Sequence, residues 1–144
     1  ILTPADNASP AAVAMVQELI GYTGAKIVVM DVENHDKCAA VISHIPHVAA
    51  AALVNLLGRY PRQEQDMLNL AGGGFGDTTR IASSNADMWA DICLTNKTNI
   101  KEGIDELILI LESVRQSIGR GDRAALHGYF SQAKLRRDSI IGSL

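Results

Sequence analysis

Between Leu70 and Trp89 the chain reads LAGGGFGDTTRIASSNADMW, where glycines, one cation, several hydroxyls and the single Trp converge. Gly72, Gly73 and Gly74, with Gly76 close behind, read as a loop whose backbone a ligand or a second chain can approach without Cβ interference. Arg80, in Asp77-Thr78-Thr79-Arg80, carries a planar fork of five donors that matches a carboxylate or a phosphate. These residue types in this order outline an anion site. The same stretch also fits a plain turn, in which Arg80 pairs with Asp77 three residues back on one helical face.

A second polar cluster lies upstream. The segment HDKCAAVISHIPHVAAAALVNLL belongs to a helix expected from Asn34 to Leu57, apolar on every side from Cys38 to Val54. A helix that is apolar all round is expected to be central and buried. Ser43, His44, Pro46 and His47 interrupt it. Buried polar groups must find partners, and Pro46 removes a backbone hydrogen bond and should bend the helix. Such violations of local rules, crowded together, mark a site. His44 and His47 project onto one face, roughly 60° apart. A metal would need a third ligand, and His35 and Asp36 are two turns back, so no metal is expected. Either histidine alone could be a core residue bonded to a carbonyl. Two histidines, a serine and a kink together fit the binding of an anionic or hydroxylated small molecule. His35 and His127 read as capping or surface residues.

The elements that must position these groups are mostly helical. The 144 residues carry 47% hydrophobic, 20% charged and 4% aromatic side chains, which describes one ordinary domain with an Ala, Leu, Ile and Val core, or one domain plus a fragment of another. The net charge of −3, without basic runs interleaved with aromatics, gives no support for a nucleic-acid partner. Cys38 and Cys93 lack any CxxC spacing and read as buried free thiols in a reducing compartment. No signal peptide is evident, and no apolar run reaches the ~18 residues of a membrane span; a cytoplasmic location is expected. The chain starts at Ile1 in ILTP and reads as a piece of a longer polypeptide.

ILTP and KIVVMD (Lys26 to Asp31) read as strands flanking a helix from Ser9-Pro10 to Ile20, a strand-helix-strand unit without a sheet to join. Helices are then expected from Asn34 to Leu57, over about Arg62 to Ala71, from Ala86 to Thr95 behind an Asn85 cap, from Asn99 to Ile118, and from an Asp122 cap to Ile140. In the fourth of these, Ile100, Ile104, Leu107, Ile108, Leu111, Val114 and Ile118 recur at three and four and predict one buried face. Met67 and Met88 are assigned to the core. The predicted class is mainly α, with about five to six helices behind a strand-helix-strand remnant.

The two clusters together resemble the prephenate dehydrogenase family, the NAD(P)-dependent enzymes of tyrosine biosynthesis. The matching residues are His35-Asp36, Ser43-His44-Ile45-Pro46-His47, Gly72-Gly73-Gly74-Phe75, Asp77-Thr78-Thr79-Arg80-Ile81-Ala82 and Met88-Trp89-Asp91-Ile92. The resemblance covers essentially the whole chain. It implies that residues 1–33 are the trailing part of a Rossmann domain and that residues 34–144 form a helical substrate-binding and dimerisation domain. The nucleotide fingerprint and the catalytic His would lie upstream of Ile1, so no catalytic or cofactor-binding residue is assigned here and the chain alone is expected to be inactive. The implied reaction is oxidative decarboxylation: hydride passes from the hydroxyl-bearing ring carbon of prephenate to NAD or NADP, carbon dioxide leaves, and 4-hydroxyphenylpyruvate results.

Carried over by motif, Arg80 would hold a substrate carboxylate and Asp77 would tether it. Ser43, His44 and His47 would line the pocket and hydrogen-bond substrate or nicotinamide. Gly73 and Trp89 would reach the site across a homodimer interface. Gly76 departs from the pattern, which often has Arg there. Arogenate is the alternative substrate and tyrosine a possible feedback ligand. A second class of function is a non-catalytic helical module that serves dimerisation or tyrosine sensing.

Overall fold

The computed structural model of the chain describes residues 1–142. Its class is mainly α, as expected; among the described residues seven α-helical segments follow the helix of the strand-helix-strand remnant, where about five to six were anticipated. Helix α1 spans Pro10–Gly21; the Ser9 hydroxyl accepts the Ala12 N–H at 3.1 Å, and Pro10 occupies the first turn. ILTP and KIVVMD meet in a single parallel bridge between Leu2 and Val29. The Leu2 N–H donates to the Val28 carbonyl at 2.8 Å and the Met30 N–H to the Leu2 carbonyl at 3.1 Å. With no further strand beside them among the described residues, these two segments form no longer ladder.

The central helical span begins at Asp31, not Asn34: the Asp31 carboxylate accepts the Asn34 N–H at 2.7 Å and caps α2, Val32–Ala39. A π turn, Ala40–His44, joins α2 directly to α3, Ile45–Leu57. Pro46 accounts for this turn. Having no N–H to return to the preceding turn, it leaves the backbone to widen by one residue, and the Ile45 N–H donates to the Ala40 carbonyl five positions back. The expected bend is thus taken up as a π turn.

Three burial expectations fail within the single chain. Only Ala40 and Ala50 of the α2–α3 span are fully buried, and Ile42 is 78% exposed. Cys38 is exposed and Cys93 half-buried, so Cys38 is not a core thiol. Met88 is half-exposed while Met67 is partly covered. The Val32–Leu57 span, 26 residues long, contains an 18-residue window with a mean hydropathy of 1.6 and is thus long and apolar enough to cross a bilayer by length and composition. The expectation that no stretch reaches that length is corrected, because Ser43, His44, His47 and Asn55 interrupt the run without charging it.

Further along, α4 is Glu64–Leu70, α5 Gly73–Thr79, a 3₁₀ turn Arg80–Ser83, α6 Ala86–Thr95, α7 Lys97–Gly119 and α8 Arg123–Ile141. The glycines expected to form a loop therefore make the first turns of α5. Glycine is a poor helix former, and tertiary support overrides it: α5 and the 3₁₀ turn both pack on α3. Thr79 is buried, its hydroxyl donating to the Phe75 carbonyl at 2.7 Å. Asn85 caps α6 by accepting the Met88 N–H at 2.9 Å. Asp122 caps α8 by accepting the Ala125 N–H at 3.0 Å.

The chain divides into two compact units, Ile1–Lys101 and Glu102–Leu144, with the division inside α7. The first contains the buried apolar residues Ala40, Ala50 and Ile100. In the second, the expected buried stripe of α7 is only partly covered: Ile104, Leu107 and Val114 are half-buried, while Ile108 is 55%, Leu111 55% and Ile118 63% exposed. On the solvated side, hydrogen bonds from Arg115 and then Gln116 hold the Glu112 carboxyl below its ordinary value.

Replacing Asp31 with Ala should cost about 1 kcal/mol, the usual worth of an N-cap, and Asp31→Asn should retain most of it. Urea unfolding followed by circular dichroism checks both.

Candidate functional site

The π turn and α6 bring the expected polar residues together. Trp89 lies against both histidines: its ring stacks on His47 at 3.8 Å between centroids and 24° between planes. His44 meets it edge-on at 6.1 Å and 78°. All three are half-buried. The resemblance implies that Trp89 reaches a site across a dimer; within this chain it already stacks on its own His47. The Trp89 Nε1–H is buried without a hydrogen-bond partner, an unusual state for a Trp donor.

Each histidine has its ring nitrogens assigned by its neighbours. His47 Nδ1 lies 2.9 Å from the Ser43 carbonyl. A carbonyl only accepts, so Nδ1 carries the proton and Nε2 keeps its lone pair. Ser43 thus serves the site through its backbone. Asn96, where α6 gives way to α7, donates its amide Nδ2 to the Asp36 carbonyl at 2.7 Å and lies 3.3 Å from His44 Nδ1. Its Oδ1 accepts from Asn99 Nδ2 at 2.8 Å. Both of its amide hydrogens are therefore directed, one to Asp36 and one to His44, and His44 Nδ1 is the acceptor. His44 consequently carries its proton on Nε2. The two histidines offer a ligand opposite functions, a donor from His44 and an acceptor from His47.

Beside this cluster opens a hollow of about 490 Å³, lined by His47, Val48, Ala51, Asn55, Trp89 and Cys93 together with small residues of the 3₁₀ turn and α6. Its size and mostly apolar walls suit a small ring compound. Ile81 and Ala82 line it, which places Arg80 one residue from its wall. Arg80 itself is exposed, and among the described residues no ion pair joins it to Asp77. Gly73 and Asp77 lie on α5, which packs on α3 without lining the hollow. The structure thus groups Ser43, His44, His47 and Trp89, sets Arg80 nearby, and leaves Gly73 and Asp77 apart. His35 and Asp36 pair with each other at 2.9 Å.

Asn96 and Asn99 were not singled out from the sequence. The available signal was an Asn at a helix junction that turned out to be 8% exposed, and nothing local distinguishes it from an ordinary cap.

Residues 31–132 match the family described as prephenate dehydrogenase, dimerization domain. The chain is 39% identical over 140 residues to prephenate dehydrogenase of Bacillus subtilis, an overlap of 97% of this chain and 38% of that protein. It is 30% identical over 138 residues to cyclohexadienyl dehydrogenase of Zymomonas mobilis, 95% of this chain and 47% of that one. Among solved structures it resembles prephenate dehydrogenase from Aquifex aeolicus in complex with hydroxyphenyl propionate and NAD+, with a TM-score of 0.88 and 34% identity over 96% of this chain and 48% of that one. The chain spans less than half the length of each of these relatives.

The stack between His47 and Trp89 should contribute about 0.5–1.5 kcal/mol, the usual coupling of an aromatic pair. A double-mutant cycle with His47→Ala and Trp89→Leu, read by chemical unfolding, measures it; purely additive effects would mean the rings merely touch.

Proposed function

Because the chain belongs to the prephenate dehydrogenase family, we propose that it is the substrate-binding and dimerising part of an enzyme that oxidatively decarboxylates prephenate to 4-hydroxyphenylpyruvate. The observation that carries this reading is the His44–Trp89–His47 cluster beside an apolar hollow, with an unpaired Arg80 one residue from the wall. A dianionic ring substrate needs such a set: a fork for a carboxylate, a donor and an acceptor for its hydroxyl, and walls that exclude water.

On this proposal Arg80 pairs with a substrate carboxylate, His44 donates from Nε2, and the lone pair on His47 Nε2 accepts the ring hydroxyl. Asp77 and Gly73 join the site only when a partner chain completes it. The bulk of NAD or NADP is assigned, through the family resemblance, to a nucleotide-binding domain of which residues 1–33 are the trailing part. The family match, starting at residue 31, supports a helical domain from residue 34 onward. The cofactor would supply the hydride acceptor. The solved relative's complex with NAD+ supports NAD for this chain. Arogenate is the alternative substrate, tyrosine a candidate feedback ligand, and the cytoplasm the proposed location.

A homodimer is the proposed assembly. Ile108, Leu109, Ile110 and Leu111 are consecutive on α7 and each is about half or more exposed, so the middle of this helix is apolar around most of its circumference and largely open in a single chain. Such a surface is expected at a protein–protein interface. It also gives weight to the second class of function, a helical module that serves assembly alone.

Calorimetric titration of the chain with prephenate, arogenate and tyrosine tests the site. Saturable binding of the substrate, weakened by about 1.5–3 kcal/mol in Arg80→Ala through loss of a charged hydrogen bond, supports the enzyme reading. Absence of any binding by a well-folded dimer would favour the assembly module. Sedimentation tests the interface: Leu109→Glu should shift the chain from dimer to monomer at micromolar concentration while its helical circular dichroism persists.

A further inference from the structure

His44 and His47 could each sit in either of two neutral tautomers, and a ligand reads the difference as a donor exchanged for an acceptor. His47 is fixed by the adjacent turn of its own helix, through the Ser43 carbonyl. His44 has no such local partner. What faces its Nδ1 is an amide 52 positions away in sequence, that of Asn96. Asn96 is nearly buried, and each polar atom of its side chain is committed. The Asp36 carbonyl, which can only accept, requires nitrogen to point toward α2. Asn99, which donates to the other side-chain atom, requires oxygen to point toward α7. Those two contacts fix the amide's orientation without reference to His44, and the remaining N–H is directed at His44 Nδ1.

We propose that Asn96 is a positioning residue for His44: its amide keeps His44 Nδ1 unprotonated, so that Nε2–H is the nitrogen presented to a ligand. This rests on the site reading above for its ligand, though not for its geometry. Burial excludes water as a competing partner for the amide, so the preference is set by the protein and not by solvent. The contact also links the π turn to the α6–α7 junction, so one side chain fixes both the place and the polarity of His44.

The test uses the chain labelled with ¹⁵N-histidine. Long-range proton–nitrogen spectra distinguish protonated from unprotonated ring nitrogens, with His44→Gln and His47→Gln assigning the signals. In the wild type, His44 should show an unprotonated Nδ1 and a protonated Nε2, and His47 the reverse. Asn96→Asp replaces the donor by an acceptor and should invert the His44 pattern while His47 stays as it was. A wild-type His44 protonated at Nδ1 overturns the proposal, and this readout does not depend on the folding of Asn96→Asp. So does an Asn96→Asp protein that is folded, by its unchanged His47 signals, and keeps the wild-type His44 pattern. Prephenate added to the wild type should shift the His44 Nε2 signal, and Asn96→Asp should weaken its binding about tenfold. Binding that leaves the Nε2 signal unmoved also overturns the proposal. A wild type that binds no prephenate yet shows the stated tautomers overturns the substrate reading and upholds the assignment to Asn96.

Discussion

A single missing N–H organises the polar centre of this chain. Pro46 cannot return a hydrogen bond to the turn before it, and the backbone responds with the π turn Ala40–His44. That turn sets Ser43, His44 and His47 so that one histidine meets a carbonyl of its own helix and the other meets an amide from a distant junction. Trp89 then fills the space against both rings.

The second constraint is that the chain lacks enough of itself to cover its apolar surface. Among the described residues three apolar ones, Ala40, Ala50 and Ile100, are buried, whereas Leu53, Val54 and Leu56 on α3 and Ile108 to Leu111 on α7 remain partly open. An apolar helix with so little cover gains little from folding alone. Its stability is tied to whatever surface completes it. Under the proposed function, a ligand bound beside α3 and a partner chain on α7 would be thermodynamically linked, since each would stabilise the same marginal fold.

How much of this could be read from the chain follows from the range of each interaction. Caps at Ser9, Asn85 and Asp122 were legible because a cap is settled within three residues, and the His-Pro-His cluster stood out because it breaks helical rules inside an apolar run. ILTP and KIVVMD read as two strands of a strand-helix-strand unit, whereas they meet only in the isolated bridge from Leu2 to Val29, because the extent of a ladder depends on neighbours the segments cannot specify. The glycine run was misread as a loop since packing on α3, a tertiary effect, outweighs the propensity of Gly73 and Gly74. Asn34 was taken for the cap in place of Asp31 because both are good capping residues three positions apart. Asn96 was invisible: its role depends on Asp36 and His44, 60 and 52 positions away.

The π turn has one more effect, on phase. An α-helix advances about 100° per residue, so one residue added to a turn shifts everything after it by roughly that angle relative to an unbroken helix. The stripe that α2 carries is thereby out of step with the stripe that α3 carries, although the rod between Val32 and Leu57 has no break. One continuous helix can thus address two different surroundings, the α6–α7 junction near its start and α5 with the 3₁₀ turn toward its end. The slip behaves as a gear change within the rod. Removing a single residue from it would leave both ends helical yet turn one of them away from its partners.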